Sequence, residues 1–72
     1  MEVVPETMLG TIVRSDHDQL RIRRRLFKGK QYIDIRIFNK NLEGEFVPTK
    51  KGITLTKDTL GQFKDIMPEV AL

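Results

Sequence analysis

The sequence predicts an α+β fold, a four-stranded antiparallel sheet followed by one C-terminal helix in the order ββββα. Three observations predict it. Residues 19–38 alternate apolar and polar side chains at period two, broken at Arg24, at Gln31 and at the pair Lys28-Gly29. Turn-forming clusters then bound each such run, at Ser15-Asp16-His17-Asp18 and between Asn39 and Glu45. After Thr56 the spacing changes to a helical one, with Leu60, Phe63, Ile66 and Met67 on one stripe.

Taken in order, Val3 to Arg14 reads as an irregular first strand with a bend at Gly10. Gln19–Phe27 and Lys30–Phe38 are the second and third strands, joined by Lys28-Gly29. Phe46-Val47 and Ile53-Thr54-Leu55 read as two halves of a fourth, interrupted by Pro48 to Gly52. Proline cannot donate to a ladder, so it marks an edge or a bulge there. Thr56 is the expected N-cap, because its hydroxyl can accept from an orphan backbone N–H. The helix is expected over 57–67, ahead of Pro68, with Gly61 weakening it by about 1 kcal/mol and residues 68–72 as a tail.

Seventy-two residues make one domain, 1–72, with residues 1–10 as an N-terminal arm that can form a strand and 11–55 as the sheet. A chain of this length buries only about 60% of its unfolded surface, so one core is marginal. The sequence has no cysteine and a single histidine, so neither disulfides nor a usual zinc site can supply the difference. Self-association as a homodimer is therefore expected. No stretch approaches the ~18 apolar residues of a membrane span. Met1 to Gly10 carries Glu2 and Glu6 and no cation, unlike a signal peptide. A cytoplasmic or nucleoid-associated protein, nuclear in a eukaryote, is expected, with no membrane partner and no secretion.

Pairing the second and third strands is the informative step. With a two-residue loop, Phe27 faces Lys30, Arg25 faces Tyr32, Arg23 faces Asp34 and Arg21 faces Arg36. One face then carries Arg21, Arg23, Arg25, Phe27, Lys30, Tyr32, Asp34, Arg36 and Phe38. The other carries Leu20, Ile22, Leu26, Ile33, Ile35 and Ile37, with Arg24 and Gln31 as its polar members. A three-residue loop would mix the two faces. The aliphatic face needs cover, expected from Leu60, Phe63 and Ile66 of the helix.

Charge follows the same division. Net charge is +3, but residues 19–40 hold eight cations against Asp34 alone. Cations that follow a phosphate backbone and rings that stack on bases are the ingredients of sequence-tolerant single-strand binding. A duplex hides its base faces, so the rings favour single strands. The candidate contacts are Arg21, Arg23, Arg25, Phe27, Lys28, Lys30, Tyr32, Arg36, Phe38, Lys50, Lys51 and Gly52. Glycine in the Lys50-Lys51-Gly52 element lets a backbone approach a phosphate. Tyr32 and Phe38 also suit a second core or a dimer contact, and the whole run suits a solvated basic surface.

Nothing in the chain argues for catalysis. Ser15, Asp16 and His17 are adjacent, so their side chains diverge and cannot form a triad. Phe27-Lys28-Gly29-Lys30 lacks the first glycine and the Ser/Thr of a phosphate-binding P-loop. No cofactor, no metal and no enzymatic activity are expected.

Four segments in order resemble one family. Phe27-Lys28-Gly29-Lys30, Ile33-Asp34-Ile35-Arg36, Glu43-Gly44-Glu45 and Lys51-Gly52-Ile53-Thr54-Leu55 are similar to the core of the transcriptional positive cofactor 4 family, single-stranded-DNA-binding coactivators with shorter bacterial and phage relatives. The resemblance covers about residues 19–67. It implies a curved four-stranded sheet and helix, a homodimer with two antiparallel grooves, and melted DNA as ligand. By matching position it implies Phe27 for stacking, Lys28, Lys30 and Arg36 for phosphates, and Lys51 with the Gly52 backbone completing the path. The chain departs from the family at Asn39, where a second stacking tryptophan is usual. Its helix is also shorter, which shifts dimerisation toward Val70-Ala71-Leu72 or the N-terminal arm. The expected partners are single-stranded DNA, a second copy, and transcription or replication machinery. The alternatives are an adaptor whose arginine-rich face docks an acidic partner, and an RNA-binding module, since the face has no evident reader of the 2′-OH.

Overall fold

A computed structural model describes residues 7–72. The expected strand start at Val3 and the first six residues of the arm lie outside the described residues. Four strands are followed by a helix: β1 (Thr7–Val13), β2 (Asp18–Phe27), β3 (Lys30–Lys40), β4 (Phe46–Leu55), α1 (Lys57–Ile66), then a 3₁₀ turn at Met67–Glu69. The sheet is antiparallel throughout, in the order β1-β2-β3-β4.

Each connection has a local cause. Ser15 Oγ accepts from the backbone N–H of His17 at 3.0 Å and of Asp18 at 3.2 Å, closing the first turn. Lys28 and Gly29 both have positive φ, 52° and 78°, the combination a type I′ hairpin turn requires. Asn41 Oδ1 accepts from the N–H of Glu43 and of Glu45, at 3.0 and 2.9 Å, and so folds the β3–β4 loop.

The β2–β3 register is the expected one: Phe27 faces Lys30, Arg25 faces Tyr32, Arg23 faces Asp34 and Arg21 faces Arg36. In β1 the register shifts between Met8 and Gly10, so the irregularity sits on Leu9 rather than being a bend at Gly10 itself.

Two expectations about β4 and α1 need correction. The two predicted half-strands are one strand. Pro48 faces Phe38 and Gly52 faces Arg36, so Thr49 to Lys51 bulge opposite Ile37 alone. Thr49 Oγ1 donates to the Ile37 carbonyl at 2.8 Å and pins that bulge.

Thr56 caps α1 as expected, accepting from the Thr59 N–H at 3.2 Å. Thr59 Oγ1 reciprocates by accepting from the Thr56 N–H at 2.8 Å. The helix ends at Ile66, one residue before the expected 67, and Pro68 lies in a 3₁₀ turn that leads into the tail.

The helix does not seal the aliphatic sheet face. Leu60 and Phe63 are half-buried, while Ile66 and Met67 are 62% and 45% exposed. A groove of about 550 Å³ separates the start of α1 from the hairpin, with Ile33, Leu55 and Leu60 on its floor. The molecule measures 46 × 37 × 18 Å. Among the described residues, Phe38 and Leu55 are the buried apolar side chains. Ten residues of helix cannot span a face built on strands of ten and eleven residues. Among the described residues no helix is long and apolar enough to cross a membrane.

Candidate nucleic-acid interface

The hairpin register places the cations and rings on one face, and Asp34 organises its centre. Asp34 is 1% exposed. Its Oδ2 accepts from Arg23 Nη2 and from Arg23 Nε, the latter at 3.1 Å. Its Oδ1 accepts from Arg36 Nη2 at 2.9 Å and from Arg36 Nε at 3.1 Å. Thr54 Oγ1, facing Asp34 from β4, donates to Oδ1 at 3.3 Å.

Burial pushes the Asp34 carboxyl up, but hydrogen bonds from Arg36 and Arg23 outweigh it and hold the pKa below the usual value. The hydrogen bond to Asp34 raises Arg36 in turn. Arg36 also donates from Nη1 to the Thr49 carbonyl at 2.9 Å, which ties this centre to the β4 bulge.

Beside this centre the guanidiniums stack on rings. Arg21 and Arg23 lie 4.6 and 4.9 Å from the Phe38 ring centroid, and Arg21 and Lys40 each lie 5.4 Å from that of Phe46. Arg23 and Phe38 are each 4% exposed. Both were expected to present themselves to a ligand. In the described chain they lie beneath the surface instead, because Asp34 holds Arg23 down and the two guanidiniums cover Phe38.

Toward the turn the face opens. Arg25, Phe27, Tyr32 and Thr54 line a depression of about 300 Å³. Phe27 is 61% exposed, with Lys28 Nζ 5.4 Å from its ring centroid. Tyr32 is half-buried; Arg25, Lys28 and Lys30 are exposed, as are Lys50 and Lys51 on the bulge. Arg21 and Arg36 are intermediate.

Gly52 has a reason the sequence did not reveal. A Cβ there would stand 2.6 Å from the Ile35 carbonyl oxygen and 2.9 Å from the Arg36 Cα. The close approach that requires glycine is to β3. Thr54 is the lining residue that the sequence reading missed; its place opposite Asp34 in the ladder was the available signal.

The model of the transcriptional coactivator p15 (PC4) family matches residues 15–66. The chain belongs to the PC4 family.

Among curated relatives, a putative RNA polymerase II transcriptional coactivator of Caenorhabditis elegans is 38% identical over 45 residues, 61% of this chain and 36% of that protein. The RNA polymerase II transcriptional coactivator KELP of Arabidopsis thaliana is 40% identical over 53 residues, 74% of this chain and 32% of that protein. The chain thus spans about a third of the length of the curated relatives it matches.

Among solved structures, a PC4 homolog from Burkholderia pseudomallei superposes with a TM-score of 0.81 at 26% identity, covering 90% of this chain and 96% of that one. The bacteriophage T5 homolog of PC4, implicated in recombination-dependent DNA replication, gives 0.77 at 22% identity, covering 92% and 76%. The four antiparallel strands and C-terminal helix are therefore the PC4 fold. The segments that carried the resemblance, from Phe27 to Leu55, all fall within the matched range.

Proposed function

We propose that this PC4-family chain is a sequence-tolerant single-stranded-DNA-binding protein that acts, as a homodimer, on melted DNA in transcription, replication or repair. The observation that carries the reading is the exposed Phe27 ring, set at the rim of a depression with Tyr32 and Arg25 and flanked by Lys28 and Lys30. An exposed ring adds nothing to a small core and offers a stacking platform for any base. Lys50 and Lys51 on the bulge, with Arg36 on Asp34 and Arg21 opposite Arg36 in the ladder, extend the cationic path across the face. Arg23 and Phe38 support that path from below.

The homodimer reading rests on the opposite face. Leu20, Ile22, Ile35 and Ile37 are only half-buried, and the chain's own helix leaves Ile66 and Met67 exposed. A second copy is the cover that a 72-residue chain without disulfides calls for.

Competition tests the proposal. A labelled unstructured oligonucleotide bound to the protein is displaced either by itself unlabelled or by its annealed duplex, with anisotropy as readout. The unannealed strand is expected to compete at far lower concentration. Equal competition by the duplex overturns the reading.

A further inference from the structure

The β4 bulge is held from one residue. Thr49 Oγ1 donates to the Ile37 carbonyl at 2.8 Å and accepts from the Lys51 N–H at 3.1 Å. A hydroxyl has one hydrogen and two lone pairs, so both bonds form on the same oxygen. The Thr49 carbonyl accepts from Arg36 Nη1 at 2.9 Å, and Arg36 is itself paired with buried Asp34. Thr49 is thus joined to the β3 backbone, to a β3 side chain and to the backbone of Lys51. Lys50 and Lys51 follow it directly and are exposed, whereas Thr49 is half-buried. Among the described residues neither lysine has a carboxylate partner. The three bulge residues stand against Ile37 alone and have no partners of their own in the β3–β4 register. The Thr49 hydroxyl supplies the restraint that the ladder does not.

We propose that Thr49 is a positioning residue for single-strand binding: its hydroxyl fixes the bulge backbone so that Lys51 is already presented when a phosphate arrives. The inference rests on the single-strand reading above and names what sets one of its phosphate contacts. A lysine on an unfixed loop must order that loop on binding, and the ordering weakens the complex. Fixing the backbone of one residue beforehand corresponds to about five- to thirtyfold in affinity. A side chain with neither charge nor ring therefore governs a contact that it does not make.

The test is a double-mutant cycle on the full chain, read by anisotropy with labelled oligo(dT) at several salt concentrations. Thr49→Val keeps the branched shape and removes the hydroxyl, Thr49→Ser keeps the hydroxyl, and Lys51→Gln removes the cation. Thr49→Val is expected to bind about five- to thirtyfold more weakly. Its slope of log affinity against log salt should be smaller by about 0.7, the share of one phosphate contact. Thr49→Ser should bind as the parent does. Added to Lys51→Gln, Thr49→Val should weaken binding little further, because the contact it positions is already gone. An equal loss with and without Lys51 marks a purely structural role and overturns the inference. So does parent-like binding by Thr49→Val or by Lys51→Gln. Should Thr49→Val fail to fold by circular dichroism, Thr49→Ala carries the same expectations. Each of these results leaves the single-strand reading standing. A parent chain that does not bind oligo(dT) overturns that reading itself, and the inference with it.

Discussion

Arg23 and Asp34 face each other across the β2–β3 ladder and form a buried ion pair, their side chains 5% and 1% exposed, in the middle of the face that carries the cations and rings. A second cation, Arg36, shares the same carboxylate, and its own side chain is 19% exposed. One buried anion thus holds two guanidiniums in fixed positions, and through Arg36 it holds the Thr49 carbonyl of the bulge. The centre of the candidate interface is internally paired, and Arg25, Lys28, Lys30, Lys50 and Lys51 around it are exposed.

Asp34→Asn keeps the shape but leaves Arg23 buried without an anion. Breaking a buried pair from one side typically costs about 3–5 kcal/mol. A urea midpoint at pH 7 should fall accordingly. The carboxyl is held below its ordinary value in the folded chain, so its stabilisation is fully present above about pH 4 and is lost as pH falls through the folded pKa. Urea midpoints collected from pH 7 to pH 2 should show an acid-side decline that is shallower in Asp34→Asn. Identical declines would mean the pair does not govern acid stability.

Gly52→Ala places a methyl 2.6 Å from the Ile35 carbonyl oxygen, closer than real Cβ atoms stand. The atoms it meets are β3 backbone and the Arg36 Cβ, so no flexible group can yield. A loss of about 1–3 kcal/mol is expected, as for overpacking elsewhere, with faster amide exchange at Thr54 and Leu55. Wild-type stability would show that β4 can move away from β3 at little cost.

Lys28 holds a left-handed conformation, φ 52°, that an L-residue with a long side chain adopts at some cost and asparagine adopts readily. Lys28→Asn gives the Asn-Gly pair favoured in type I′ turns and should stabilise the chain by up to about 1 kcal/mol. The same change removes a cation beside Phe27. The slope of log affinity against log salt for single-stranded DNA should shrink by about 0.7 if that cation meets a phosphate. A more stable protein with an unchanged slope would take Lys28 out of the contact surface.

The hairpin register was legible because a two-residue loop fixes which residues oppose, and parity then assigns every side chain to a face. The pairing of Arg23 with Asp34 followed from that register, and the Thr56 cap from residue type and position. Burial was not legible in the same way. Whether Arg23 or Phe38 reaches solvent depends on Asp34 pairing with Arg23 and on Arg21 and Arg23 stacking on the Phe38 ring, a matter of three-dimensional packing that alternation does not encode. Continuity of β4 was hidden because Pro48 and Gly52 both look like breakers. In the fold they bracket a bulge that Thr49 pins to Ile37. Thr54 was read only as strand, since its chemistry arises from a carboxylate twenty residues earlier.

The ring at the turn decides the central claim. Phe27 is 61% exposed, so Phe27→Ala should leave the far-ultraviolet circular dichroism and the urea midpoint nearly unchanged. Affinity for an unstructured single strand, measured by anisotropy at fixed salt, should fall roughly five- to 150-fold, matching the 1–3 kcal/mol that one stacked base contributes. A folded variant that binds as tightly as the parent would contradict the account and favour a surface that docks acidic protein by charge alone.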